Sequence, residues 1–187
     1  VFMRGSSSLV PANKPIIKPK VSDTLDYEAE LVLVIGNRCK NLKADNALDV
    51  IAGYSCFNDC SVREFQRHTI QWTMGKNFDA TGSFGPILVT PDELPLGASG
   101  LKIECRLNGQ TVQSSVTDKM IFSVLETLIY LSRAMTLNPG DLVVMGTPSG
   151  VGHARTPPIW MNEGDRVEVE IEQIGTLENP IRLEVEN

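Results

Sequence analysis

LDYEAELVLVIG, residues 25–36, is the stretch whose alternation decides the fold. In a strand, side chains alternate between faces, so Tyr27, Ala29, Leu31, Leu33 and Ile35 share one side and Glu28, Glu30, Val32 and Val34 the other. Downstream of Glu30 both faces are apolar, which marks a strand covered on both sides with two carboxylates at the mouth of a core. Like charges in such a place are costly unless a cation neutralises them or one takes a proton. A divalent ion held by oxygen ligands is the economical solution. An E-x-E pair more commonly marks a solvated face, and the chain contains its own comparison. Glu168, Glu170 and Glu172 alternate with Val167, Val169 and Ile171, giving one wet and one dry face with no need for a ligand.

Working outward, residues 46–51 suggest a short helix and residues 52–59 a second strand. Residues 75–86, rich in Gly, Asn and Asp, read as a long loop before the apolar run 87–90. Residues 101–107 and 110–115 flank Asn108-Gly109, whose tolerance of positive φ predicts a two-residue hairpin turn. Ile121, Val124, Leu125, Leu128, Leu131 and Met135 fall on one helical face, so residues 120–135 read as the one main helix, stopped by Asn138-Pro139-Gly140. Strands are expected at 141–145 and 166–174. Residues 1–24, interrupted by Pro11, Pro15 and Pro19, read as an extended arm or a chain of short strands. The sum is an α+β, mostly β domain.

A length of 187 residues suits a single domain spanning 1–187, with a sizeable core. The chain is 42% hydrophobic and 21% charged, with mean hydropathy −0.05, which excludes a disordered chain. A net charge of −6 argues against a general nucleic-acid binder. The longest apolar run, Leu31 to Ile35, is far short of the roughly 20 residues that span a bilayer, so no membrane role is expected. The chain begins at Val1 and shows no signal segment, pointing to a cytoplasmic protein whose N-terminal part precedes the residues seen. Cys39, Cys56, Cys60 and Cys105 read as reduced packing thiols. A zinc site from Cys56, Cys60 and His68 is a weak alternative.

A third acid to accompany Glu28 and Glu30 is available in Asp59, although such a residue is often a turn or cap. Arg63 and Gln66 follow at helical spacing, which would put all three on one face. A guanidinium beside a metal suits a substrate carboxylate, an ordinary ion pair being the alternative. Lys76 sits in Trp72-Thr73-Met74-Gly75-Lys76-Asn77, away from an obvious solvated face. The turn Gly146-Thr147-Pro148-Ser149-Gly150-Val151-Gly152-His153 exposes N–H groups and hydroxyls after a buried strand. It matches neither a phosphate loop nor a serine-hydrolase elbow. His68 and His153 are the two histidines. A lone loop histidine is usually a hydrogen-bonding residue rather than a base.

LDYEAELVLVIG, GYSCFNDCSVREFQ, WTMGKNFDATGSFGPILV, MIFS and GDLVVMGTPSGVG, taken in that order, resemble the fumarylacetoacetate hydrolase family, and the resemblance runs from about Phe2 to Glu184. It implies the mixed β-roll or sandwich-like fold of that family's C-terminal domain, assembled as a homodimer and binding Mg2+, or else Mn2+ or Ca2+. It carries the metal carboxylates onto Glu28, Glu30 and Asp59, the substrate-contacting Arg and Gln onto Arg63 and Gln66, the active-site Lys onto Lys76 and the Gly-Thr-Pro threonine onto Thr147. The implied activity is metal-dependent hydrolysis of a carbon–carbon bond in a β-dicarbonyl 2-oxo acid, such as an acylpyruvate. Lys76 and Thr147 act at the reacting centre, and Arg63 and Gln66 hold the substrate's polar end. Oxaloacetate decarboxylation and enol–keto isomerisation use the same enolate chemistry and remain alternatives, as does a non-catalytic metal- and ligand-binding dimer. The family's His and Glu on an N-terminal lid have no counterpart in this chain, so the resemblance leaves the general base unassigned.

Overall fold

In a computed structural model that describes residues 1–185, the N-terminal arm supplies β1 (Leu9–Pro11) and β2 (Ile16–Lys18). There follow β3 (Leu25–Asp26), β4 (Ala29–Ile35), β5 (Ile51–Asn58), β6 (Ser61–Val62), α1 (Arg63–Gln66), α2 (Thr73–Lys76) and β7 (Gly82–Val89). The second half contains β8 (Lys102–Leu107), β9 (Gln110–Val116), α3 (Val124–Ala134), β10 (Leu142–Val144), β11 (Arg166–Ile171) and β12 (Gly175–Leu183). The fold is mostly β, with mixed sheets.

One five-stranded sheet has the order β1-β7-β5-β4-β10 and the other β2-β12-β11-β8-β9. Strands β4, β5 and β7 of the first face β8, β11 and β12 of the second. Ala29, Leu31, Leu33 and Ile35 point into the shared core with Val167, Val169 and Ile171. This is the alternation read from residues 25–36, and it leaves Glu30 on the opposite side of β4. The arm joins the layers, because β1 pairs in parallel with β7 and β2 in parallel with β12. Asn179 Nδ2 donates to the carbonyls of Pro11 and Lys14 where the arm crosses between sheets.

Several expectations hold. Strands β8 and β9 form the hairpin about Asn108 and Gly109, with φ of 52° and 78°. On β11, Glu168 and Glu170 lie on the polar face and both accept from Arg106, while Val167 and Val169 are buried.

Others are corrected. Residues 46–50 form turns, not a helix, with Asn46 Oδ1 accepting from Lys43 N, a local bond that competes with helix. The loop expected over 75–86 is shorter, since α2 ends at Lys76 and β7 begins at Gly82. Pro86 disguised that strand, and the sheet accommodates it with a register irregularity between Tyr54 and Cys56. Strand β12, also broken in pattern by Asn179-Pro180, was not foreseen. The main helix starts at Val124 rather than 120, because Ser123 and Glu126 close a capping box. Ile121 and Phe122 therefore precede the helix and are exposed, although the periodicity placed Ile121 on the buried face. No helix among the described residues is long and apolar enough to cross a membrane.

Ser123→Ala removes the side-chain half of that box. Urea unfolding should show a loss of about 1 kcal/mol, and an unchanged midpoint would show that packing alone sets the start of α3.

Candidate active site

The site lies where β4 begins and β5 ends. Antiparallel pairing sets Ala29 opposite Asn58 and Glu30 opposite Phe57, and Asp59 N donates to Glu28 O at 2.9 Å. The register of one strand pair thus brings Asp59 beside Glu28 across about thirty residues of sequence. Oxygen atoms of Glu28, Glu30 and Asp59 all lie within 4.8 Å of one another, and all three residues are buried.

Cations from three other segments offset part of the charge of this cluster. Lys76, 1% exposed, places Nζ 2.5 Å from Glu28 Oε2, 2.6 Å from Asp59 Oδ2 and 2.9 Å from the Asp59 carbonyl. Arg4 Nη1 donates to the other Asp59 oxygen at 2.6 Å. Arg63 Nε donates to Asp26 Oδ2 at 2.8 Å, and Nη1 to Gln66 Oε1 at 2.9 Å. Arg63 Nη2 is ion-paired with Glu28 Oε1 at 2.7 Å, without the alignment of a hydrogen bond. Four carboxyls, of Asp26, Glu28, Glu30 and Asp59, thus meet three cations, Arg4, Arg63 and Lys76. The imbalance falls on Glu30, held well above the usual carboxylate range by burial and by the Asp59 and Glu28 charges, against the opposing pull of Lys76 and the Gly146 N–H. Hard oxygen donors with negative charge in excess fit a divalent ion, and Glu28, Glu30 and Asp59 are the residues able to hold it.

The 146–153 turn closes the other side. Gly146 N donates to Glu30 Oε2, and Thr147 Oγ1 donates to Ala29 O at 2.9 Å while accepting from Gln113 Nε2 at 2.9 Å. Further along, Gly152 N and His153 N donate to Asp26. A cavity of about 1780 Å³ opens over these groups, lined among others by Glu30, Arg63, Gln66, Lys76, Thr147 and His153. Phe2 lies with its ring 5.2 Å from Lys76 Nζ and 5.8 Å from the Trp72 ring, an apolar cover at the cavity wall.

All seven residues proposed from sequence converge here. The helical face imagined for Asp59, Arg63 and Gln66 is not how they meet: α1 covers only Arg63–Gln66, and Asp59 arrives from the end of β5. Lys76 closes α2 and is buried rather than looped out. His68 is exposed and packs on Phe65, and Cys56 and Cys60 form no ligand cluster with it among the described residues. The thiols are free and buried, and burial pushes Cys56 up to about 12. Sequence reasoning missed Arg4, Asp26 and Gln113. Asp26 left a trace, a third acid just before the E-x-E pair; Arg4 and Gln113 are reached only through the fold.

A family model described as fumarylacetoacetate (FAA) hydrolase C-terminal matches residues 1–182. A fumarylacetoacetate hydrolase domain-containing protein 2 homolog of Dictyostelium discoideum is 43% identical over 97% of this chain and 63% of its own length. A protein of Rattus norvegicus named oxaloacetate tautomerase Fahd2a, mitochondrial, is 41% identical over 97% of this chain and 58% of its own. The chain thus spans about three fifths of the length of these relatives. Among solved structures, a fumarylacetoacetate hydrolase from Exiguobacterium antarcticum superposes with a TM-score of 0.93 at 38% identity, covering 98% of this chain and 66% of that one. A 2-hydroxyhepta-2,4-diene-1,7-dioate isomerase from Mycobacterium marinum gives 0.89 at 38% identity, covering 99% and 69%.

Glu30→Ala should weaken Mg2+ or Mn2+ binding by more than about tenfold, since outer partners of ligands alone are worth that much. Glu170→Ala, on the polar face of β11, should leave binding within about twofold, within the small range of surface changes. Calorimetric titration of both variants checks the pair, and an unaffected Glu30→Ala would remove it from the ligand set.

Proposed function

The chain belongs to the fumarylacetoacetate hydrolase family, and from that premise we propose that it interconverts the enol and keto forms of a 2-oxo dicarboxylic acid of the oxaloacetate kind. The observation that carries this reading is the buried Glu28, Glu30 and Asp59 cluster with the Lys76 ammonium at its edge. Relatives about 41% identical bear the name oxaloacetate tautomerase, and similar structures are named isomerases. Hydrolysis of a carbon–carbon bond, the first expectation from the resemblance, asks for an activated water and a carbon leaving group; tautomerisation asks only that a proton move between carbon and oxygen. Hydrolysis stays as the second reading, favoured by the name of the Exiguobacterium structure.

Glu28, Glu30 and Asp59 would hold a divalent ion of the Mg2+ type. When bound, the ion supplies a Lewis acid for negative charge developing on the 2-oxo oxygen. Lys76 adds fixed positive charge at the same edge, its Nζ held by Glu28 and Asp59 so that it needs no reorganisation during reaction. Gln66 Oε1 is taken by Arg63, which leaves the Gln66 amide to donate into the cavity. The Thr147 hydroxyl proton is directed at Ala29 O, so toward substrate it presents a lone pair, suited to an enol O–H rather than to a carboxylate. Phe2 and Trp72 keep water from the Lys76 side.

The test follows decay of the oxaloacetate enol absorbance with Mg2+ or Mn2+ against a chelated control. Chelator-sensitive acceleration is expected. Lys76→Met should lower kcat by about 100-fold while the fold, read by circular dichroism, is kept. Acylpyruvate cleavage without enol–keto turnover would put the hydrolase reading first.

A further inference from the structure

We propose that His153, oriented by Asp26, is the group that carries the proton between carbon and oxygen in this site. The inference rests on the tautomerase reading above.

Asp26 is fully buried and accepts from Tyr27 N at 2.9 Å, Gly152 N at 2.7 Å and His153 N at 3.0 Å, besides Arg63 Nε at 2.8 Å. Its Oδ2 also lies 3.2 Å from His153 Nδ1. A carboxylate only accepts, so Nδ1 carries the proton of the neutral ring and Nε2 presents a lone pair. Among the described residues Nε2 has no hydrogen-bond partner, and the side chain is 25% exposed in the wall of the cavity that holds Arg63, Gln66 and Lys76. The backbone is shaped for this bond. A Cβ at Gly152 would collide with the Ile159 carbonyl and come within 2.7 Å of Asp26 Oδ1, so only glycine lets the turn bring its N–H groups onto Asp26. A carboxylate that fixes an imidazole's tautomer and orientation is the arrangement of general acid–base catalysis.

The carboxylates and the lysine that line the cavity are committed elsewhere, Asp141 accepting from Asn138 N. Glu28, Glu30 and Asp59 form the ion set, and Lys76 is bonded to two of them. Glu126 is held in the helix cap by Ser123. His153 keeps the Nε2 lone pair open in the cavity wall.

In the keto-to-enol direction Nε2 takes a proton from C3. The C–H pair becomes the C2–C3 double bond, and the carbonyl π pair moves onto O2. The imidazolium then gives the same proton to O2 and returns to its neutral form. One proton moves, no bond to the ring forms, and no co-reactant is consumed.

Two variants separate catalysis from support of the turn. His153→Asn keeps a donor for Asp26 but lacks Nε2, whereas His153→Ala loses both. In the full chain with Mg2+, both should lose about 100-fold or more in kcat for enol–keto turnover of oxaloacetate and for exchange of its C3 protons with D2O. Mg2+ binding by calorimetry should stay at the wild-type level, and added imidazole should restore His153→Ala in a saturable way. In the metal-free chain, 15N spectra of labelled histidine should show the neutral ring of His153 protonated on Nδ1. Wild-type turnover in His153→Asn, or a neutral ring protonated on Nε2, overturns the role of His153 alone. A wild-type chain inert in both assays with Mg2+ bound overturns the tautomerase reading and this inference with it.

Discussion

Lys76 Nζ, held at once by Glu28 and Asp59 at a position 1% exposed, is the contact on which the site's arrangement depends. Burying a carboxylate without a partner costs several kcal/mol, and here several carboxylates are buried within one small volume. The cluster persists because its cations come from unrelated stretches of chain: Arg4 from the arm, Arg63 from α1 and Lys76 from α2. Each reaches inward on a long side chain from an element anchored elsewhere. Short elements such as α1 and α2, too brief to be stable alone, are fixed in part by the charges they deliver.

The same electrostatics explain the glycines around the site. Gly75 packs so closely on Gln66 that a Cβ would come within 2.5 Å of its backbone nitrogen, which is how α2 comes near enough for Lys76 to reach the carboxylates. Gly146 turns at a φ of 95° and offers its N–H to Glu30. Backbone freedom at these places is converted into charge placement.

Much of this was legible in the chain. The unbroken apolar run after Glu30 announced a strand covered on both sides, and the contrast with the alternating residues 167–172 separated a charge cluster needing a partner from a wet face. Patterns that break alternation hid the rest. Gly85-Pro86 masked β7 and Asn179-Pro180 masked β12, while the apolar period that includes Ile121 ran past the true helix start, which a single serine cap determines. Within the site, residues carried by local pattern were found. Arg4 and Gln113 were not, because their partners lie 55 and 34 residues away and no spacing rule links them.

The site draws on residues from Arg4 to His153, so it is complete only when the arm, both central strands and the 146–153 turn are in place. A ligand for these carboxylates would therefore bind the folded state and hardly the unfolded one, adding RT ln(1 + [L]/Kd) to stability. Occupancy would then act as a clasp on long-range topology, raising the barrier to opening of a chain whose strand pairings are mostly distant in sequence, and making resistance to proteolysis track the ion content of its surroundings.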